Sequence, residues 1–220
     1  DDARAQEIYA RLAQRINPWL GTATPAGVLY ETDLRLRPDG ASGLLVSSAE
    51  AFRTYQLEHA WTWEHQAITR ARFVCGDAEI GRRFEAIRRA ILCAPRDAAK
   101  LREDVRAMRE KMHAGHPNPT ALFDLKHDAG GIVDVEFCVR YLILRDCARH
   151  PELADNVGNI ALLGRVGAAG LIPVGVAQAA ADAYRELRRR QHAVKLAGAE
   201  HARVPPDEFA AARAAVRALW

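Results

Sequence analysis

Charge alternates with apolar character through the segment from Gly27 to Ser48: Glu31, Asp33, Arg35 and Arg37 fall at every second position, with Tyr30, Thr32, Leu34 and Leu36 between them. A two-residue period belongs to β-strands, because successive side chains leave a strand on opposite faces. The pattern therefore predicts a strand with two carboxylates and two guanidiniums on one face and an apolar face against a core. Pro38-Asp39-Gly40 and then Gly43 are turn residues, and they lead into the short apolar run Leu44-Leu45-Val46, which predicts a hairpin or a tight strand pair. Interleaved carboxylate and guanidinium suit a site for metal ions and polyphosphate, since hard oxygen ligands take Mg²⁺ and the arginine fork takes phosphate oxygens. The same alternation also describes a solvated, half-buried strand laced with ion pairs.

Around this segment the periodicity is helical. Ile8, Leu12 and Ile16 recur every four residues, predicting a helix over 3–17 that Asn17-Pro18 stops and that covers the sheet. Ser47 or Ser48 is placed to cap a helix with Glu50 in its first turn and Phe52 and Tyr55 along it. Ile80, Phe84, Ile87 and Ile91 form one apolar stripe, and Leu101, Val105, Met108 and Met112 form another. Tyr184, Leu187 and Val194 mark a long helix over 174–198, and a last one runs from Pro206 to Trp220. The expected fold class is α+β, mostly α, with a division near residue 58 between an α/β part (1–58) and a helical bundle (59–220).

With 49% hydrophobic and 27% charged residues over 220 positions, the chain has enough apolar material for real cores. Its 31 basic and 28 acidic residues leave a net charge of only +3, which gives no bulk reason to expect nucleic acid as a partner. No run approaches the length of a membrane span, and the first residues are acidic rather than basic and apolar, so neither membrane nor secretion is expected. Cys75, Cys93, Cys138 and Cys147 show no C-x-x-C spacing and read as buried reduced thiols, which suggests the cytoplasm. His113 and His116 have metal-like spacing but lack a third ligand, and Gly115 and Pro117 flank the second; surface histidines near a helix end are the expectation.

Three blocks carry a resemblance to a known family. The first is Leu29-Tyr30-Glu31-Thr32-Asp33-Leu34-Arg35-Leu36-Arg37-Pro38 with Gly40 and Gly43; the second is Trp61-Thr62-Trp63-Glu64-His65-Gln66-Ala67 with Ala71-Arg72; the third is Asp124-Leu125-Lys126 with Gly130-Gly131-Ile132-Val133-Asp134-Val135-Glu136-Phe137. In this order they resemble the bifunctional glutamine synthetase adenylyltransferase/adenylyl-removing enzymes. The second block is more similar to the C-terminal, adenylylating half than to the adenylyl-removing half. The resemblance implies a remnant of a polymerase-β-like nucleotidyltransferase domain ahead of the helical bundle. Asp33 matches the third carboxylate of that fold, a Mg²⁺ ligand, and Arg35 and Arg37 are candidates to neutralise developing charge. The fold's Ser-Asp-x-Asp elements have no counterpart before residue 29, so the resemblance implies a chain that begins inside the catalytic domain and is inactive alone. It further implies ATP as substrate and glutamine synthetase and the PII signalling protein as partners. The alternatives are the phosphorolytic adenylyl-removing reaction, and a helical module that only binds glutamine synthetase or PII.

Trp63, Glu64, Arg70 and Arg72 are the first candidates in the bundle for more than packing, and the resemblance gives Trp63, Glu64 and Arg72 a site-facing role, against the alternative of an ion pair at a domain interface. Lys126, Gly130 and Gly131 enter an apolar helix, where free N–H groups and the positive end of the dipole can meet a phosphate; an ordinary loop is the simpler alternative. Asp134 and Glu136 lie within that apolar helix, where carboxylates need partners. They are about 200° apart on its surface, so one is expected in the cleft between domains and the other on an arginine of a neighbouring helix. Arg188-Arg189-Arg190 reads as a solvated face.

Overall fold

Apolar stripes at helical spacing become the helices that bury them. The computed structural model describes residues 2–28 and 30–220. In chain order it contains α1 (Asp2–Gly21), β1 (Ala23–Thr24), β2 (Gly27–Val28), α2 (Ala49–Glu58), α3 (Thr62–Ile68), α4 (Ala78–Leu92), α5 (Ala98–Ala114), β3 (Phe123–Asp124), α6 (Ile132–Asp146), α7 (Asn159–Ala168), α8 (Val174–Leu196), β4 (Arg203–Val204) and α9 (Ala210–Leu219). The protein is mostly helical, as its sequence predicts.

The core gathers around α6, which is buried on nearly every side. Helix α5 brings Leu101 and Val105 to it, α7 brings Leu162, Leu163 and Val166, α8 brings Leu187, and α9 brings Val216. Each such side chain contributes about 1.5–3 kcal/mol by leaving water. Methionines 108 and 112 pack on the edge of this core, completing the stripe expected on α5. Strands β3 and β4 pair antiparallel, Phe123 opposite Val204 and Asp124 opposite Arg203. The pair is pinned from outside by the Arg213 guanidinium, 4.3 Å from the centre of the Phe123 ring.

Caps set the helix starts. The Ser48 hydroxyl accepts from the Ala51 N–H at 3.1 Å, the expected cap of α2. Asp77 and Asp97 do the same for α4 and α5. At the C-terminal end of α3 the buried Arg88 of α4 donates to the carbonyls of Ile68 (3.2 Å) and Thr69 (3.1 Å), and across to Ala154 (2.7 Å). A cation at the negative end of a helix is favourably placed, and here it also ties three segments together.

Four expectations are corrected. Helix α1 runs through Pro18 to Gly21 instead of stopping at Asn17; near a C-terminus a proline removes only one intrahelical bond. Its Ile8, Leu12 and Ile16 are exposed rather than packed on a sheet. The strand over Glu31 to Arg37 does not form: pairing is confined to Ala23–Thr24 with Gly27–Val28, and neither does Leu44-Leu45-Val46 become a strand. Local bonds win instead, because Asp33 Oδ1 takes the Arg35 N–H at 2.9 Å, an alternative to a ladder that aspartate readily offers. Leu29, which opens the first block, lies outside the described residues. Finally, Cys93 and Cys147 are joined as a disulfide between the end of α4 and the end of α6; 54 residues apart, they gave no spacing signal. Cys138 is a buried free thiol and Cys75 an exposed one.

Candidate active site

The segment 34–43 is not a strand, yet it is firmly built. Arg37 turns its guanidinium back into the loop, donating to the carbonyls of Gly43 (3.1 Å), Ala41 (3.0 Å) and Leu34. Asp39 adopts a left-handed backbone at the turn, and Gly43 comes so close to Pro38 that a Cβ there would stand 1.8 Å from its carbonyl oxygen. The loop therefore presents Leu36 and Arg37 as a fixed rim.

Opposite that rim, α2 and α3 form the other wall. Phe52 and Gln56 are four residues apart on α2 and share a face; Trp63 projects from α3, and Arg70 follows its end. With Leu36 and Arg37 these side chains line a cleft of about 210 Å³. Glu64, also on its wall and 8% exposed, accepts from the Tyr55 hydroxyl at 3.0 Å and from the Trp61 N–H at 2.9 Å. It thus supplies the reciprocal half of a capping box and forms no ion pair among the described residues. Tyr55 in turn lies beside the Asp39 backbone, so Glu64 links α3 to the rim loop through one hydroxyl.

Behind the cleft, His65 joins the two helices. Its Nε2 lies 2.9 Å from the Gln56 carbonyl and its Nδ1 3.0 Å from Arg96 Nη1. A carbonyl can only accept and a guanidinium can only donate, which assigns the proton to Nε2 and leaves the ring neutral. Burial pushes the His65 pKa down, and the Arg96 charge adds to that, against the opposing pull of the Gln56 carbonyl and Glu64.

Asp33 and Arg35 stand on the exposed approach to Arg37. Arg35 grips both carboxylate oxygens, Nε to Oδ1 at 2.9 Å and Nη2 to Oδ2 at 2.7 Å, which holds the Asp33 pKa down to about 2. No group of three or more His, Cys, Asp or Glu among the described residues is arranged to hold a metal ion. With both Asp33 oxygens engaged, the residues present do not form a magnesium site.

The third block lies elsewhere. Asp134 pairs with Arg109 of α5, the neighbouring helix, at 2.5 Å and accepts from the Gly130 N–H at 2.6 Å. Arg109 also donates to the His127 carbonyl at 2.8 Å. The α6 terminus expected to offer N–H groups to a phosphate has them filled: Gly131 N–H by the Asp128 carbonyl, Ile132 by Leu125, Val133 by Lys126. A Cβ on Gly131 would lie 2.8 Å from the Asp128 carbonyl oxygen and 2.9 Å from that of Leu125, so close packing is what that glycine permits. Lys126 is exposed. Glu136 pairs with Arg140 at 3.3 Å and accepts from the Tyr184 hydroxyl at 3.2 Å. Arg140 has its pKa lowered by burial and then, despite Glu136, by the charge of Arg70, so Arg70 brings its positive field toward α6 as well as into the cleft.

The structure thus brings Arg37, Trp63 and Glu64 together. It leaves Glu31, Asp33, Arg35 and Arg72 on exposed segments and puts Asp134 in the core. Trp61 is exposed, and Trp63 is 38% exposed, so neither anchors the core. Arg70, a candidate from the sequence, lines the same cleft. Sequence reading missed Gln56, whose signal was a polar residue one turn after Phe52 on the face α2 buries.

Two family models cover nearly the whole chain. Residues 1–87 match the one described as glutamate-ammonia ligase adenylyltransferase, and residues 98–219, more than half the chain, match the one described as GlnD PII-uridylyltransferase. Both descriptions name nucleotidyl-transferring enzymes. Among curated proteins, the chain is 58% identical over 222 residues to the bifunctional glutamine synthetase adenylyltransferase/adenylyl-removing enzyme of Bordetella bronchiseptica, covering 100% of this chain and 24% of that one. The enzymes of the same name from Aromatoleum aromaticum (59% over 216 residues, 98% and 23%) and Nitrosomonas europaea (54% over 234 residues, 100% and 25%) are similarly related. The chain belongs to this family of bifunctional glutamine synthetase adenylyltransferase/adenylyl-removing enzymes, and it spans about a quarter of the length of these relatives. No helix among the described residues is long and apolar enough to cross a membrane.

Proposed function

We propose that the chain is part of an adenylyltransferase that moves AMP from ATP to a tyrosine hydroxyl of glutamine synthetase, as the C-terminal, adenylylating half of such an enzyme. What supports this reading is the convergence of two motif blocks on one cleft, Arg37 from the first and Trp63 and Glu64 from the second. Residues 1–58 are then the remnant of a nucleotidyltransferase domain, and 59–220 a helical bundle behind it.

In this reading ATP lies across the cleft between the rim loop and α3. Arg37 and Arg70 offset phosphate charge at the mouth, where partial exclusion of water strengthens each attraction. Asp33 and Arg35 sit on the approach as candidate catalytic residues. As a Mg²⁺ ligand Asp33 supplies a single carboxylate, far short of the six oxygens the ion prefers, so the metal needs further ligands besides it. Glu31 and Arg72 remain peripheral candidates. Lys126, Gly130, Gly131, Asp134 and Glu136 act through the fold, holding α6 against α5 and α8 behind the cleft.

The helical bundle is the part proposed to meet the regulator. Its match to a model described by PII-uridylyltransferase activity favours PII as a partner beside glutamine synthetase. The phosphorolytic adenylyl-removing reaction, which the relatives' name also contains, is the second reading. The proposed setting is the cytoplasm.

The test is a chimera in which this chain replaces its counterpart in the B. bronchiseptica enzyme. Asp33→Ala and Arg37→Ala are expected to lower AMP transfer at least a hundredfold while binding of glutamine synthetase persists. Transfer at the unaltered rate in both variants would refute the assignment.

A further inference from the structure

Trp63 belongs to two cavities at once. One is the cleft described above; the other is a groove of about 370 Å³ between α3 and α5, whose lining includes Trp61, Trp63, Lys100, Asp104, Met108 and Lys111. Trp61 is 70% exposed and Trp63 38%, although tryptophan is a residue that folding usually hides and that protein interfaces favour. Lys100, Asp104, Met108 and Lys111 follow one another at steps of four, four and three on α5, which makes them one face of that helix. The Thr62 hydroxyl donates to Asp104 Oδ2 at 2.6 Å. That bond pins the start of α3, and with it the tryptophans on either side of Thr62, against the middle of the face. Among the described residues the ion pair on α5 is that of Arg109 with Asp134, so Lys100 and Lys111 are left without a carboxylate.

The spacing of the two lysines selects the kind of occupant. Eleven residues apart on a helix, they stand about 16 Å from each other, a span that an extended chain covers in about five residues. A small anion would reach one lysine and leave the indoles uncovered. We propose that the groove seats the segment of glutamine synthetase that carries the acceptor tyrosine, as a short extended stretch whose acidic side chains meet Lys100 and Lys111 and whose apolar or aromatic middle covers Trp61. The choice of that segment over any other acidic one comes from Trp63, the wall that the groove shares with the cleft, which puts a chain lying in the groove beside the place assigned to ATP. The proposal rests on the adenylyl-transfer reading for the identity of the partner, and it adds where that partner docks.

The test uses the B. bronchiseptica enzyme carrying this chain. With Trp61→p-benzoylphenylalanine, irradiation in the presence of glutamine synthetase is expected to cross-link the peptide containing the tyrosine that the parent enzyme modifies, as read by mass spectrometry. Lys100→Glu combined with Lys111→Glu should raise KM for glutamine synthetase about tenfold or more, leave KM for ATP within about twofold, and flatten the rise of the former with salt. Trp61→Ala should raise KM for glutamine synthetase by a similar factor, as loss of an interface tryptophan does. All three positions are exposed, and the cross-link decides the matter should the double variant fail to fold. A cross-link to another part of glutamine synthetase, to PII instead, or to nothing, or an unchanged KM for glutamine synthetase in the variants, would each overturn the proposal; a rise in KM for ATP alone would give the groove to the nucleotide. The cross-linked peptide is read whether or not AMP moves. A chimera that transfers AMP but cross-links elsewhere refutes the groove alone, and a cross-link at the tyrosine without transfer refutes the reaction alone.

Discussion

Arg109 Nε donates to Asp134 Oδ1 at 2.5 Å where both side chains are only 6% exposed, and the second Asp134 oxygen takes the Gly130 N–H. One carboxylate therefore neutralises a buried cation and closes the turn that starts α6. Removing one partner of a buried pair leaves the other charge unpaired, a loss of about 3–5 kcal/mol. Asp134→Ala is expected to lose that much stability in urea unfolding, while Arg109→Met with Asp134→Leu loses markedly less. A single-variant loss under about 0.5 kcal/mol, typical of a surface site, would contradict the assignment.

Arg88 holds the carbonyls at the end of α3, on which the cleft depends. Hydrogen bonds to a charged donor are worth about 1.5–3 kcal/mol each, and burying the three carbonyls without it adds to the loss. Arg88→Met should destabilise by about 3 kcal/mol or more. Arg88→Lys should restore little, since an ammonium cannot span carbonyls that a planar fork reaches together. Thermal unfolding of both variants is the check.

His65 sets a pH dependence. Its folded pKa is depressed by burial and by Arg96, with Glu64 pulling weakly the other way, so below the ordinary value of about 6.5 the unfolded chain binds a proton that the folded one refuses. Stability is then fully present above about pH 6.5 and falls as pH drops from there toward the folded value. His127, depressed by burial and by His116 and Lys126, acts in the same direction. Unfolding free energy measured between pH 7.5 and 5.5 should decline more steeply in the unaltered chain than in His65→Gln; equal slopes would show that His65 is not held neutral.

Gly131 tests whether the α6 entrance is a packing device. Gly131→Ala pushes a methyl against the Asp128 and Leu125 carbonyls, and overpacking of this kind costs about 1–3 kcal/mol. Added phosphate should leave the melting temperature of Asp134→Asn and of the unaltered chain equally unmoved. Stabilisation by phosphate that Asp134→Asn or Gly131→Ala abolishes would restore an anion site there.

How much of this could be read beforehand follows from the range of each interaction. Stripes such as Leu101, Val105, Met108 and Met112 report a helix because period and burial are local properties, and Ser48 was legible as a cap for the same reason. The strand at Glu31 to Arg37 was not, because alternation is necessary for a strand but pairing decides it, and Asp33 satisfies the backbone from within. The Cys93–Cys147 link and the Arg88 and Arg109 contacts join residues 18 to 66 positions apart, which no local pattern encodes. For the site, Trp63, Glu64 and Arg37 were visible through the motif blocks. Arg70 was a candidate beside them from the sequence, whereas Gln56 became one only when α2 and α3 were seen to share a cleft.

The most direct test of the central claim is the intact mass of glutamine synthetase subunits after incubation with ATP, Mg²⁺ and the chimera that carries this chain in the B. bronchiseptica enzyme. The account predicts a gain of one adenylyl group per modified subunit, lost when Arg37 and Asp33 are replaced together. Unchanged masses from a folded, glutamine synthetase-binding chimera would contradict it and leave a helical module that binds without transferring.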